Sequence, residues 1–139
     1  MDALEPQLEA WVRVDRETVL ADAQQRQAEM DSGAETGPLH GVPIGIKDIY
    51  NIAGIPTTAG SKVYADYVPD ETAVTIDLLQ KAGAIMLGKT VTTEFACLDP
   101  SHTKNPWNPA HTPGGSSSGS AVSVRPEAHT AELQSRAEL

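Results

Sequence analysis

The sequence predicts an α/β chain. Two segments with apolar residues at helical spacing, 16–30 and 72–82, alternate with three short apolar runs of strand length, 10–14, 42–46 and 84–87. Gly- and Pro-rich punctuation separates them. At 139 residues the chain has the size of one domain, enough for a single core.

Ala10-Trp11-Val12-Arg13-Val14 alternates as a half-buried strand does, and Asp15 is a suitable N-cap for the helix that follows. In that helix Val19, Leu20, Ala23 and Met30 fall near one face, and Ser32-Gly33 supplies the stop. Gly37-Pro38 is a turn, after which Val42 to Ile46 reads as a short buried strand that delivers Lys47 at its end; His40 precedes that strand and reads as a polar strand-end contact. A lysine at the end of a buried strand loses part of its preference for the charged form.

Asn51 to Ser61 is rich in Gly, Pro and Thr and is expected to form a loop over one side of the site. Asp70 is expected to cap a helix over Thr72 to Ala82, with Val74, Leu78 and Ala82 inward and Gly83 ending it. Ala84 to Leu87 follows as a buried strand. Gly83-Ala84-Ile85-Met86-Leu87-Gly88-Lys89-Thr90 matches the phosphate-loop spacing, but Gly83 follows a helix and the residues before Gly88 are a strand run. Since the pattern works only as strand, loop, helix, nucleotide binding is not expected.

Val91 to Cys97 is expected to open a short helix capped by Thr92 or Thr93, with Cys97 as a small buried residue. Pro100 to Pro113 reads as an irregular but restrained segment anchored by Trp107. It leads into Thr112-Pro113-Gly114-Gly115-Ser116-Ser117-Ser118-Gly119-Ser120-Ala121-Val122, where paired glycines precede a run of hydroxyls and then small apolar residues suited to a buried helix.

Ten basic against nineteen acidic residues give a formal charge of −9, with no basic cluster to track a phosphate backbone, so nucleic acid is not an expected partner. A single cysteine, Cys97, permits no intramolecular disulfide and fits a reducing compartment. The acidic start is not a secretory signal, and no apolar run reaches bilayer-spanning length. A cytoplasmic location without membrane contact is therefore expected. The four histidines show no metal-ligand spacing, so neither a metal nor a cofactor is expected.

Several blocks in order carry a family resemblance: Gly41-Val42-Pro43-Ile44-Gly45-Ile46-Lys47-Asp48, Gly54-Ile55-Pro56-Thr57-Thr58-Ala59-Gly60-Ser61, Gly88-Lys89-Thr90 with Thr93-Glu94-Phe95-Ala96, Asn105-Pro106-Trp107-Asn108, and Pro113 to Ala121. From about Leu8 to Val124 the chain resembles the amidase signature family, whose members hydrolyse or transfer carboxamide groups. The resemblance implies a partial three-layer amidase signature fold, a mixed sheet with helices, incomplete at the C-terminus. Residues 1–124 would be its N-terminal part and 125–139 a divergent polar tail, set off where Arg125-Pro126 interrupts the helix.

The resemblance also implies catalysis by a lysine, a serine preceded by a cis peptide bond, and a second serine that attacks. Lys47 matches the lysine and Ser116 the cis serine, with Gly114, Gly115, Ser117 and Ser118 as the supporting loop. The family's attacking serine lies about two dozen residues further on, in a Gly-Gly-Ser-like loop with no match here. Ser135, between Gln134 and Arg136, does not replace it. The expectation is a chain interrupted near Val124 by frameshift or truncation, hydrolytically inactive alone and prone to self-association through uncovered sheet edges. A small-molecule amide is the implied substrate.

Two alternatives accompany this reading. One is a fragment like the A subunit of a tRNA-dependent amidotransferase, which the acidic composition and Val91-Thr92-Thr93, in place of Asn-Met-Asp, count against. The other is a non-catalytic remnant that binds amides.

Overall fold

The computed structural model describes residues 4–124; the expected polar tail 125–139, with Ser135, lies outside them. In chain order the elements are α1 (Glu5–Leu8), β1 (Trp11–Arg13), α2 (Arg16–Asp31), β2 (Pro43–Lys47), α3 (Val74–Lys81), β3 (Ile85–Thr90) and α4 (Ser118–Ser123), with 3-10 turns at Lys62–Tyr64 and Glu94–Ala96. The sheet runs β1-β3-β2. β1 pairs antiparallel with β3 and β2 parallel with it, so the sheet is mixed, as expected.

The pleat assigns the two faces. Ile44, Ile46 and their β3 partners Met86 and Lys89 share one side, while Gly45, Lys47 and Thr90 share the other, after a bulge between Ile44 and Gly45 skips Leu87. The first side carries the core of Ile46, Ile52 and Ile76, joined by Leu79 of α3. Burial of each such side chain contributes about 1.5–3 kcal/mol relative to exposure. On the second side α4 sets Val122 against Leu8 and Ala10, with Trp11 packed on them.

Two glycines make this second side possible. At Gly45 a Cβ would fall 2.9 Å from both the Thr90 methyl and the Trp11 ring. At Gly119, whose N–H donates to Val91 O at 2.9 Å, a Cβ would overlap Ala10 O and Val91 N, so α4 sits directly on backbone. Gly119→Ala is expected to lower stability by about 1–3 kcal/mol in urea denaturation, because the obstacles are backbone atoms that no rotamer change removes.

Asp15 caps α2 by accepting from Thr18 N at 3.3 Å, and Gly33 follows the helix at φ +73°. The expected apolar face is rotated: Leu20 and Met30 are exposed, and the half-buried line is Val19, Asp22, Ala23, Arg26 and Glu29. His40 fixes it by setting Nε2 2.9 Å from Arg26 O.

α3 departs further from expectation. It begins at Val74, with Ala73 at the cap position and no side-chain cap, so Asp70 does not cap it. The cause is prior commitment of the preceding residues: Ala73 N donates to Asn51 O at 2.9 Å, and Thr72 Oγ1 accepts from Ala53 N at 3.0 Å. Val74 and Leu78 are exposed, and Ile76 is the buried residue.

β3 runs past Leu87 through Gly88, Lys89 and Thr90, so the phosphate-loop spacing from Ile85 onward lies inside a strand. The expected helix over 91–97 is only the 3-10 turn at Glu94–Ala96, with Phe95 and Ala96 at positive φ and no side-chain cap. That turn leaves Cys97 exposed rather than buried. Trp107 is 64% exposed and does not anchor its segment. Asn105 does: its Oδ1 accepts from Trp107 N at 2.9 Å and its Nδ2 donates to Thr112 O at 3.3 Å. Among the described residues no helix is long and apolar enough to cross a membrane.

Candidate active site

Lys47 ends β2 on the side of the sheet that faces α4, because it pairs in register with Thr90, whose Oγ1 lies 2.7 Å from Ser120 Oγ of α4. Ser116 stands just ahead of α4, and the Gly115–Ser116 peptide bond is cis. Across 69 positions of sequence, Lys47 Nζ and Ser116 Oγ come within 2.6 Å. As an ammonium the lysine donates in this contact; as a neutral amine it accepts the serine proton.

Burial pulls the Lys47 pKa below the ordinary lysine value, since leaving water penalises the charged form. Among the described residues Lys47 makes no ion pair that would oppose this shift. Its chain neighbour Asp48, the first residue past β2, reaches the opposite face, where Lys89 lies. There it is fully buried with Lys89 Nζ 2.8 Å from its Oδ1.

Three loops converge on the pair. Thr93 N donates to Ser116 O at 3.0 Å, Phe95 N to Ala59 O at 2.8 Å, and Ala59 N to Asp48 O at 2.9 Å. Backbone bonds therefore connect the residue after Lys47, the 59–61 turn and the residues after β3 to the serine loop. Ser61 Oγ adds a 2.5 Å bond to Glu94 Oε1.

Of the loop residues singled out in the sequence, Gly114 and Gly115 form the turn before Ser116, and Ser117 is exposed at the α4 cap position without a capping bond. Ser118 is fully buried, 2.6 Å from Ser101 Oγ, and ties the 101–103 segment to α4. Residues not singled out for the site also enter it: Thr93 through its amide, Thr58 through a 2.6 Å bond to Asp48 Oδ2, and Lys89. The available signal for Lys89 was its place at the end of an apolar strand run, the same context that drew attention to Lys47.

Neither of two surface cavities is lined by Lys47 or Ser116. One of about 340 Å³ lies between α2, β3 and the 52–55 loop. The other, about 640 Å³, is bordered by Thr58, Gly60, Ser61, Thr92 and Glu94 of the loops that converge on Ser116.

Comparison with known proteins gives the family of the chain. The A subunit of the Carboxydothermus hydrogenoformans glutamyl-tRNA(Gln) amidotransferase is 42% identical over 130 residues, covering 89% of this chain and 27% of that protein. Its Lachnospira eligens counterpart is 44% identical over 126 residues, 86% of this chain and 26% of its own length. The native peptide amidase of Stenotrophomonas maltophilia superposes with a TM-score of 0.79 at 38% identity, over 88% of this chain and 28% of its own. The chain thus spans about a quarter of the length of the curated relatives it matches. The family model described as Amidase matches residues 1–127, and on that match the chain belongs to the amidase signature family.

Proposed function

We propose that the protein carrying this chain cleaves carbon–nitrogen bonds of carboxamides, with Lys47 as the base, Ser116 as a proton relay and an attacking serine contributed from outside residues 4–124. The observation that carries this reading is the 2.6 Å contact between Lys47 Nζ and Ser116 Oγ, made by a lysine whose burial favours its neutral form.

Neutral Lys47 takes the Ser116 proton while Ser116 takes the proton of the attacking hydroxyl, whose oxygen adds to the amide carbon. As the tetrahedral adduct collapses, the C–N bond breaks. The proton then travels back from Lys47 through Ser116 to the leaving nitrogen, releasing ammonia or an amine. Water, deprotonated by the same relay, hydrolyses the acyl-serine to a carboxylic acid and free serine. In this scheme the described residues supply the relay, and the attacking hydroxyl comes from elsewhere in the protein.

The test is release of ammonia and carboxylate by the full protein from a panel of carboxamides, followed across pH. Activity is expected to rise as Lys47 loses its proton, with the midpoint below the ordinary lysine value, because burial lowers its pKa. No release from any carboxamide would overturn the reading. So would an alkaline rise centred at the ordinary lysine value.

A second reading, favoured by the names of the curated relatives at 42% and 44% identity, is the A subunit of a glutamyl-tRNA(Gln) amidotransferase. Ammonia release that depends on added partner subunits would select it.

A further inference from the structure

Lys89 has no part in the relay, yet it is 2% exposed and Asp48, beside Lys47, is 0% exposed. Lys89 Nζ stands 2.8 Å from Asp48 Oδ1, and it donates to Tyr50 O at 2.9 Å and to Thr57 Oγ1 at 2.8 Å. The other carboxylate oxygen, Oδ2, accepts from Thr58 N at 3.1 Å and Thr58 Oγ1 at 2.6 Å. One buried cation thus holds the strand end, Tyr50 and the 57–58 loop together.

We propose that Lys89 is a positioning residue for Lys47: by cancelling the Asp48 charge it lets the amine at Ser116 stay neutral enough to act as a base. The inference rests on the reading of Lys47 as the base.

Asp48 is one residue from Lys47 in a poorly solvated setting, and an unbalanced carboxylate there would stabilise the Lys47 ammonium. The other groups near this end of β2 do not supply the balance. Tyr50 contributes its carbonyl, Glu94 is an acid bound to Ser61, and α4 carries no charged residue over Ser118–Ser123. On β3 the only charged side chain is Lys89.

The experiment reads Lys47 directly and needs no turnover. The full protein is trace-labelled with acetic anhydride across pH, and acetylation of Lys47 is quantified by mass spectrometry against the exposed lysines Lys62 and Lys81. Wild type is compared with Lys89→Met, Lys89→Gln and Asp48→Asn/Lys89→Met, each checked for retained fold by circular dichroism.

Lys47 labelling near neutral pH is expected to fall about tenfold in the folded single variants, as an unbalanced charge at short range through an effective dielectric near 20 would produce. It is expected to return to the wild-type level in the double variant, where the carboxylate is gone as well. Unchanged labelling in a folded single variant overturns the proposal. Failure of the double variant to restore labelling also overturns it, by tracing the effect to lost packing. If both single variants unfold while the double variant folds, the pair serves the fold alone and the proposal falls. Because acetylation is independent of amide hydrolysis, these results stay separate from the fate of the functional reading.

Discussion

Lys47→Ala and Ser116→Ala are each expected to lower kcat/KM for carboxamide hydrolysis by the full protein about a hundred- to ten-thousandfold, the range of positioned proton-transfer groups. The double variant is expected to lose little more than either single one. The two side chains meet at 2.6 Å and would pass the same proton in sequence, so removing either end disables the other. Additive losses would show that the two residues act independently. Lys47→Arg is not expected to rescue, because a guanidinium stays protonated at any working pH. Both side chains are only partly buried, so melting temperatures of the alanine variants should stay close to wild type and separate lost chemistry from lost fold.

The second large effect falls on stability. Lys89→Ala is expected to cost about 3–5 kcal/mol in urea denaturation, the range for breaking a buried pair by removing one partner. It leaves the fully buried Asp48 carboxylate without its cation and removes the donor to Tyr50 O and Thr57 Oγ1. Against a total stability of roughly 5–15 kcal/mol that is a large fraction. Asp48→Asn/Lys89→Met is expected to lose less, since no buried charge remains and the methionine fills much of the lysine's volume. A Lys89→Ala loss below about 1 kcal/mol would mean that water reaches Asp48.

Much of this architecture was legible where a local rule and the tertiary fold agree. Asp15 at the cap of a long helix and the glycines before Ser116 behave as their local chemistry dictates, and the run ending at Lys47 does form a strand, although Ile46 alone is buried in it and Val42, Pro43 and Gly45 are exposed. The failures share a physical cause, competition from non-local partners. Asp70 had a sound local claim to cap α3, but Thr72 and Ala73 are held by the 51–53 loop, which moved the helix start and turned Ile76 inward in place of Val74 and Leu78. Trp107 had the size of an anchor, yet the polar Asn105 organises its segment.

Lys89 was obscured for another reason. Its Gly88-Lys89-Thr90 setting matches a phosphate-loop spacing, which says nothing about a buried ion pair. Its burial depends on a carboxylate 41 positions earlier, at Asp48, and one-dimensional periodicity does not report such pairs.

The opposite orientations of Lys47 and Asp48 impose a rule on insertions and deletions. Removing one residue between Pro43 and Lys47 would invert every side chain downstream in the strand, turning the carboxylate toward Ser116 and the lysine into the face of Ile46. A two-residue change would keep the faces but shorten the reach to the serine loop. Length variation in this strand should therefore be eliminated by selection, while the exposed stretch from Asn108 to His111, which belongs to no helix or strand, can absorb it. A library of single-codon deletions scored for retained protein would trace that boundary along the gene.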